Sequence, residues 1–122
     1  MGVQSKYFGV GWVVPHAKAE VGALATQARG NILYGPQGLG LLESGVAPEI
    51  AIERLLADDP LRKQRQVGMV SARGEAASYT GSETLPWSGG KTGDGYAVQA
   101  NLMGPATVPE AMARERFWKP MS

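Results

Sequence analysis

The stretch Val21–Gly45, VGALATQARGNILYGPQGLGLLESG, constrains the fold more than any other part of the chain. Its three parts come in a fixed order. Val21, Ala23 and Ala25 alternate with Gly22, Leu24 and Thr26, the period of a short strand made of small residues. Gln27–Asn31 is a polar break. Tyr34-Gly35-Pro36 then leads into Leu39, Leu41 and Leu42, a short helix that Gly45 stops. A strand with so little side-chain bulk lets neighbouring layers approach closely. Thr26, Gln27 and Asn31 fall where strand hands over to helix, and loops held by rigid elements often carry function.

The remainder of the chain supplies more strands than helices. Gly2–Tyr7 and Phe8–Val14 read as strands, the second ended by Pro15, with Pro15-His16-Ala17-Lys18 as a surface connection. Pro48 opens a second helix with Ile52, Leu55 and Leu56 as its buried stripe, and Asp58-Asp59-Pro60 ends it. Leu61–Arg65 is basic and reads as a solvated face. Gln66–Ser71 and Ala76–Thr80 flank Ala72-Arg73-Gly74-Glu75, the pattern of a β-hairpin in which Gly74 takes the positive φ. Gly81–Thr92 reads as a long loop whose glycines make it more mobile than its flanking strands, a lid if mobile and anchored to the core by Trp87 if rigid. Tyr96–Leu102 is a strand with Tyr96, Val98 and Ala100 on one face and Ala97, Gln99 and Asn101 on the other. Pro109–Phe117 closes the chain as a helix, with Met112 and Phe117 as its apolar contacts.

The order of these segments resembles a known family. GALATQA, then YGP-G-LL, Leu56-Ala57-Asp58-Asp59, Arg65-Gln66-Val67-Gly68, Tyr79-Thr80-Gly81, Pro86-Trp87, Gly93–Asn101 and Ala111-Met112-Ala113 are similar to the family catalogued as domain of unknown function 1028. The resemblance covers nearly the whole chain. It implies an α+β fold of the Ntn-hydrolase (N-terminal nucleophile) type, an αββα sandwich of two face-to-face sheets between helix layers. It also implies a partial domain over residues 1–117, lacking the family's first strand and C-terminal part, with a tail at 118–122.

Ntn hydrolases attack with the side chain of the first residue of the processed chain, using its free amine as base. Removal of Met1 here would expose Gly2, which has no side chain. The substitutes are Ser5 and Lys6, though neighbours on an extended strand point to opposite faces and do not meet. By resemblance, Lys6 is placed to polarise or bind an anionic group; read from the residues alone, it is a solvated strand end. The ligand-binding candidates are Gln27, Asn31, Gln99 and Asn101, whose amides can serve an oxyanion or cap buried backbone groups. Tyr34 and Trp87 are candidate pocket walls, or packing. His16 reads as an exposed loop histidine. Gly90-Lys91-Thr92 is not a phosphate loop, because Leu85 stands where the pattern needs glycine.

Charge and composition narrow the function classes. A net charge of +1 with no basic run argues against nucleic acid. No apolar run spans a bilayer and no signal pattern opens the chain, so a cytoplasmic location is expected. The absence of cysteine removes disulfides, thiolate metal sites and a cysteine nucleophile. No cofactor and no metal are expected. The 17 glycines are scattered among clear apolar patterning, which means turns and close backbone contacts, not disorder. The expected function is a hydrolase-like protein acting on a small amide or ester; the alternative is a non-catalytic small-molecule-binding or self-associating fragment. Apolar residues on both faces of Phe8–Val14 lead to the expectation of a homodimer.

Overall fold

The computed structural model describes residues 14–28, 31–84, 88–101 and 111–114. The strand expected at Gly2–Tyr7, residues 8–13 of the next expected strand, positions 85–87 of the expected loop, residues 115–117 of the expected last helix and the expected tail lie outside the described residues. In chain order the elements are β1 (Pro15–Lys18), β2 (Gly22–Ala28), α1 (Tyr34–Glu43), α2 (Pro48–Ala57), a 3₁₀ turn (Arg62–Gln64), β3 (Arg65–Ser71), β4 (Ala76–Thr80), β5 (Gly89–Gly93) and β6 (Tyr96–Ala100). The strands make two antiparallel sheets, one ordered β1-β2-β3-β4 and one of β5-β6. The protein is therefore mixed α+β. Among the described residues, no helix is long and apolar enough to cross a membrane.

Strand periodicity assigns the two faces of the larger sheet. Leu24 stands opposite Met69, and Thr26 opposite Val67. All four are buried, and Leu24 and Met69 close against Gly38 of α1, so this face carries the helices. Leu42, Ile52, Leu55 and Leu56 complete that core. A Cβ on Gly38 would come within 2.6 Å of Leu24 Cδ2, so the bare glycine lets α1 lie this close to β2 without displacing Leu24. The other face carries Ala23, Ala25 and Gln27 on β2 and Gln66, Gly68 and Val70 on β3, and β5-β6 packs against it.

Local chemistry sets the ends of α1. Asn31 Oδ1 accepts from Leu33 N–H, and the Asn31 carbonyl accepts from Tyr34 N–H. Gly45, at φ 91°, turns the chain out of the helix, and Val46 N–H reaches back to the Leu41 carbonyl. Pro48 sits in the first turn of α2, and the β3-β4 hairpin has the expected bounds with Gly74 at φ 88°.

Several expectations are corrected. Pro15–Lys18 is a strand, not a surface connection; it pairs with Gly22–Ala25 at the sheet edge, where proline's missing N–H goes unneeded. His16 is half-buried on that strand instead of exposed in a loop, with its ring against Gly35. The loop expected over Gly81–Thr92 contains β5, because its glycines extend beside Tyr96–Ala100 and turn at Asp94-Gly95. Gly90-Lys91-Thr92 thus lies in a strand, as the rejection of a phosphate loop requires. Residues 111–114 are helical; Ala113 is buried, whereas Met112, expected as a core contact, is exposed.

Candidate functional site

Sheet register puts three polar side chains in one row. Gln27 of β2 stands opposite Gln66 of β3, which stands opposite Thr80 of β4. Residues directly opposite share a face, so all three point toward β5-β6. Gln66 is fully buried and is the hub. Its Nε2 donates toward Thr80 Oγ1 at 3.0 Å, the Gly89 carbonyl at 3.1 Å and the Ala100 carbonyl at 3.0 Å. Its Oε1 accepts from Gln27 Nε2 and, at 3.2 Å, from Asn101 Nδ2. One amide thereby ties the larger sheet to both strands of the smaller one. An unpaired buried amide costs several kcal/mol in an apolar reference medium, so so full a set of partners is what its burial demands.

Gln99 reaches the same interface from β6. A Cβ on Gly68 would lie within 1.9 Å of Gln99 Nε2, so Gly68 is the floor on which that side chain rests. Gln99 Nε2 is buried with no hydrogen-bond partner among the described residues. Gln27 and Asn101 are only half-buried, and each keeps a carbonyl oxygen and a second N–H beyond its bond to Gln66. The network is closed at Gln66 and open at Gln27 and Asn101.

The other sequence candidates are placed elsewhere. Asn31 helps set the entry to α1, and its N–H bonds Thr26 Oγ1 on the helix-facing side. Tyr34, expected as a pocket wall, is a core residue about 1% exposed, with its hydroxyl donating to Asp59 Oδ2. His16 stands opposite Leu24, so the sheet separates it from the amide row. Ser5, Lys6 and Trp87 lie outside the described residues. Among the described residues, no three His, Cys, Asp or Glu side chains group as a metal site would require.

A second polar cluster lies under the helices, where the basic run was expected to be solvated. Arg62 and Lys63 are exposed, but Arg65 is buried and paired with Asp59, Nε to Oδ2 at 2.9 Å and Nη2 to Oδ1 at 3.3 Å. Arg65 stands at the first position of β3 with its side chain on the helix face, which turns a surface-type residue inward. Its guanidinium lies 5.9 Å over the Tyr34 ring. The hydrogen bonds from Arg65 hold the Asp59 carboxyl down at about 2. Burial, reinforced by Asp59, pushes the Tyr34 hydroxyl well above its ordinary value, so it stays protonated. The hydrogen bond to Asp59 raises Arg65. These groups are locked, not poised for proton transfer.

An open groove of about 400 Å³ runs between α2 and β4, floored by Ile52, Leu56, Ala77 and Tyr79 and rimmed by Glu53 and Arg62. It lies on the helix face and does not reach the amide row.

Gln27, Gln99 and Asn101, expected from the sequence as ligand-binding residues, lie in or beside the amide row; Gln66, Thr80, Asp59 and Arg65 were not among the expected site residues. The one available signal for Gln66 was the alternation of β3, which put a glutamine in phase with Gly68 and Val70 on an inward face.

A family of unknown function, DUF1028, has a model that matches residues 1–119. The crystal structure of a DUF1028 protein from Silicibacter pomeroyi is similar to the chain, with a TM-score of 0.86 at 28% identity over 93% of the chain. The chain spans about half, 52%, of that relative's length. Among curated proteins, none matches.

Proposed function

The chain belongs to the DUF1028 family, and from that premise we propose that it is a hydrolase-like protein whose site takes a small ligand bearing an amide or ester group, held by Gln27 and Asn101. The observation that carries this reading is the convergence of the Gln27, Gln66 and Asn101 amides between two sheets. Gln66 is saturated and cannot bind anything further; it fixes the other two amides in place. Gln27 and Asn101 then present carbonyl oxygens and N–H groups in fixed positions, which match the donor and acceptor of an amide ligand. On the same reading the stacked sheets are part of an Ntn-hydrolase-like αββα sandwich. Lys6 is assigned to polarising the ligand carbonyl, with Ser5 as the neighbouring hydroxyl.

A second reading, binding without cleavage, is favoured by one feature. Among the described residues, the buried Thr26 hydroxyl accepts from Asn31 N–H, and the Tyr34 hydroxyl donates to an Asp59 carboxylate that Arg65 already holds, so neither is arranged as an activated nucleophile.

The test uses purified protein with 4-nitrophenyl acetate, acetyl-4-nitroanilide and N-methylacetamide. Saturable release of nitrophenol or nitroaniline, lost in Lys6→Ala or Ser5→Ala, establishes cleavage. A saturable rise in melting temperature with N-methylacetamide, without turnover and diminished in Asn101→Ala, establishes binding alone. Neither response, with the folded protein confirmed by circular dichroism, refutes both readings.

A further inference from the structure

We propose that the edge of β4 that meets no strand among the described residues is a homodimer interface, at which β4 of one copy pairs antiparallel with β4 of a second copy about a two-fold axis at Ser78. The argument starts from hydrogen-bond parity. Ser71 N–H donates to the Glu75 carbonyl, and Gly81 N–H donates to the Arg65 carbonyl. In an antiparallel ladder, bonding alternates by residue. Glu75, Ala77, Tyr79 and Gly81 therefore direct their backbone groups at β3. Ala76, Ser78 and Thr80 direct theirs away from it, at an edge where β4 has no further strand neighbour among the described residues. Ser78 is exposed there.

The two edges of this sheet differ. β1 begins with Pro15, which lacks an N–H, and ends with Lys18, which is paired with Glu43. Proline and lysine are the residues that keep an edge from pairing with another chain. β4 is AASYT, with no charge, no proline and an unbroken register. One edge is guarded and the other is not.

The unguarded edge is complementary to itself. With the axis at Ser78, Ser78 faces its own copy, and Ala76 faces Thr80. These are the three residues with outward backbone groups, so every facing pair is a hydrogen-bonded one. Between them Tyr79 falls opposite Ala77 of the second copy, a large residue over a small one on the groove side. Charge agrees with this arrangement. α2 joins β3 through only 58–64, which puts its C-terminal end and Arg62 at the Thr80 end of β4. Glu49, at the other end of α2, lines the same groove. An antiparallel partner reverses these ends and brings its Arg62 toward Glu49. A two-fold axis repeats each contact twice.

The experiment is sedimentation equilibrium of the full chain from about 1 to 100 micromolar, a range that brackets ordinary dimer affinities. The expected species has twice the chain mass of 12.9 kDa. Ser78→Pro removes the N–H at the axis and costs the monomer little, because that N–H points outward. It is expected to raise the dissociation constant by at least about tenfold, from the two hydrogen bonds lost at the axis. Arg62→Glu is expected to weaken the dimer, and Glu49→Arg added to it to restore it. A folded monomer across the whole range overturns the proposal, as it would if another segment or partner covered β4. A dimer that both Ser78→Pro and Arg62→Glu leave unchanged also overturns it.

Discussion

Replacing Asp59 with asparagine removes one charge and almost no volume, and isolates what the buried pair does for the fold. Arg65 would be left with its charge under the helices and its carboxylate partner gone. Breaking a buried pair by removing one member costs about 3–5 kcal/mol, since the remaining charge is uncompensated. We expect the lower end, about 3 kcal/mol, because the asparagine oxygen can still accept from Tyr34. For a domain of this size that lowers the melting temperature by roughly 10 °C. The pH profile gives a second measure. The Asp59 carboxyl is held at about 2 in the fold against 3.8 ordinarily. A depressed carboxyl stabilises fully above its unfolded value, and the contribution is lost as pH falls from about 4 through 2. The loss is worth about 2 kcal/mol. Urea unfolding of wild type and Asp59→Asn should therefore show a gap at pH 7 that narrows by about 2 kcal/mol toward pH 2. A gap under about 1 kcal/mol at pH 7, or parallel pH profiles, would refute the reasoning.

Two further substitutions separate tight packing from surface charge. Gly81→Ala would put a Cβ 2.2 Å from the Lys63 carbonyl oxygen, a backbone atom that cannot swing aside. It should cost about 1–3 kcal/mol in urea unfolding, and an unchanged midpoint would contradict the close approach. Lys18→Ala breaks an ion pair to Glu43 whose side chains are 52% and 54% exposed. Its effect should stay within about 0.5 kcal/mol and vanish in 1 M salt, so a larger, salt-insensitive loss would contradict its surface character.

Local rules made much of this protein legible from its sequence. The small-residue strand, the Gly45 stop, Pro48 in the first turn of α2 and the Gly74 hairpin each rest on interactions within a few residues, and each is where it was expected. Gln99 and Asn101 fell on one strand face by the same period-two rule. The family, too, was legible, because its segments recur in order along the chain.

Tertiary structure decided what local rules leave open. Whether a glycine-rich run is loop or strand depends on a partner, and Gly89–Gly93 became a strand only beside Tyr96–Ala100. Arg65 read as solvated because a basic run ordinarily is; it is buried because strand phase turned it toward an aspartate six residues earlier. For Gln66 the sequence offered only strand phase, which places it on a face but names no partner. Its role follows from facing Gln27, 39 residues away, and Asn101, 35 residues away, and only the stacking of two sheets sets those distances. A sequence states its polar residues and their period. Which of them meet is decided by register and layer packing, since a buried amide must take its partners from wherever the fold brings them.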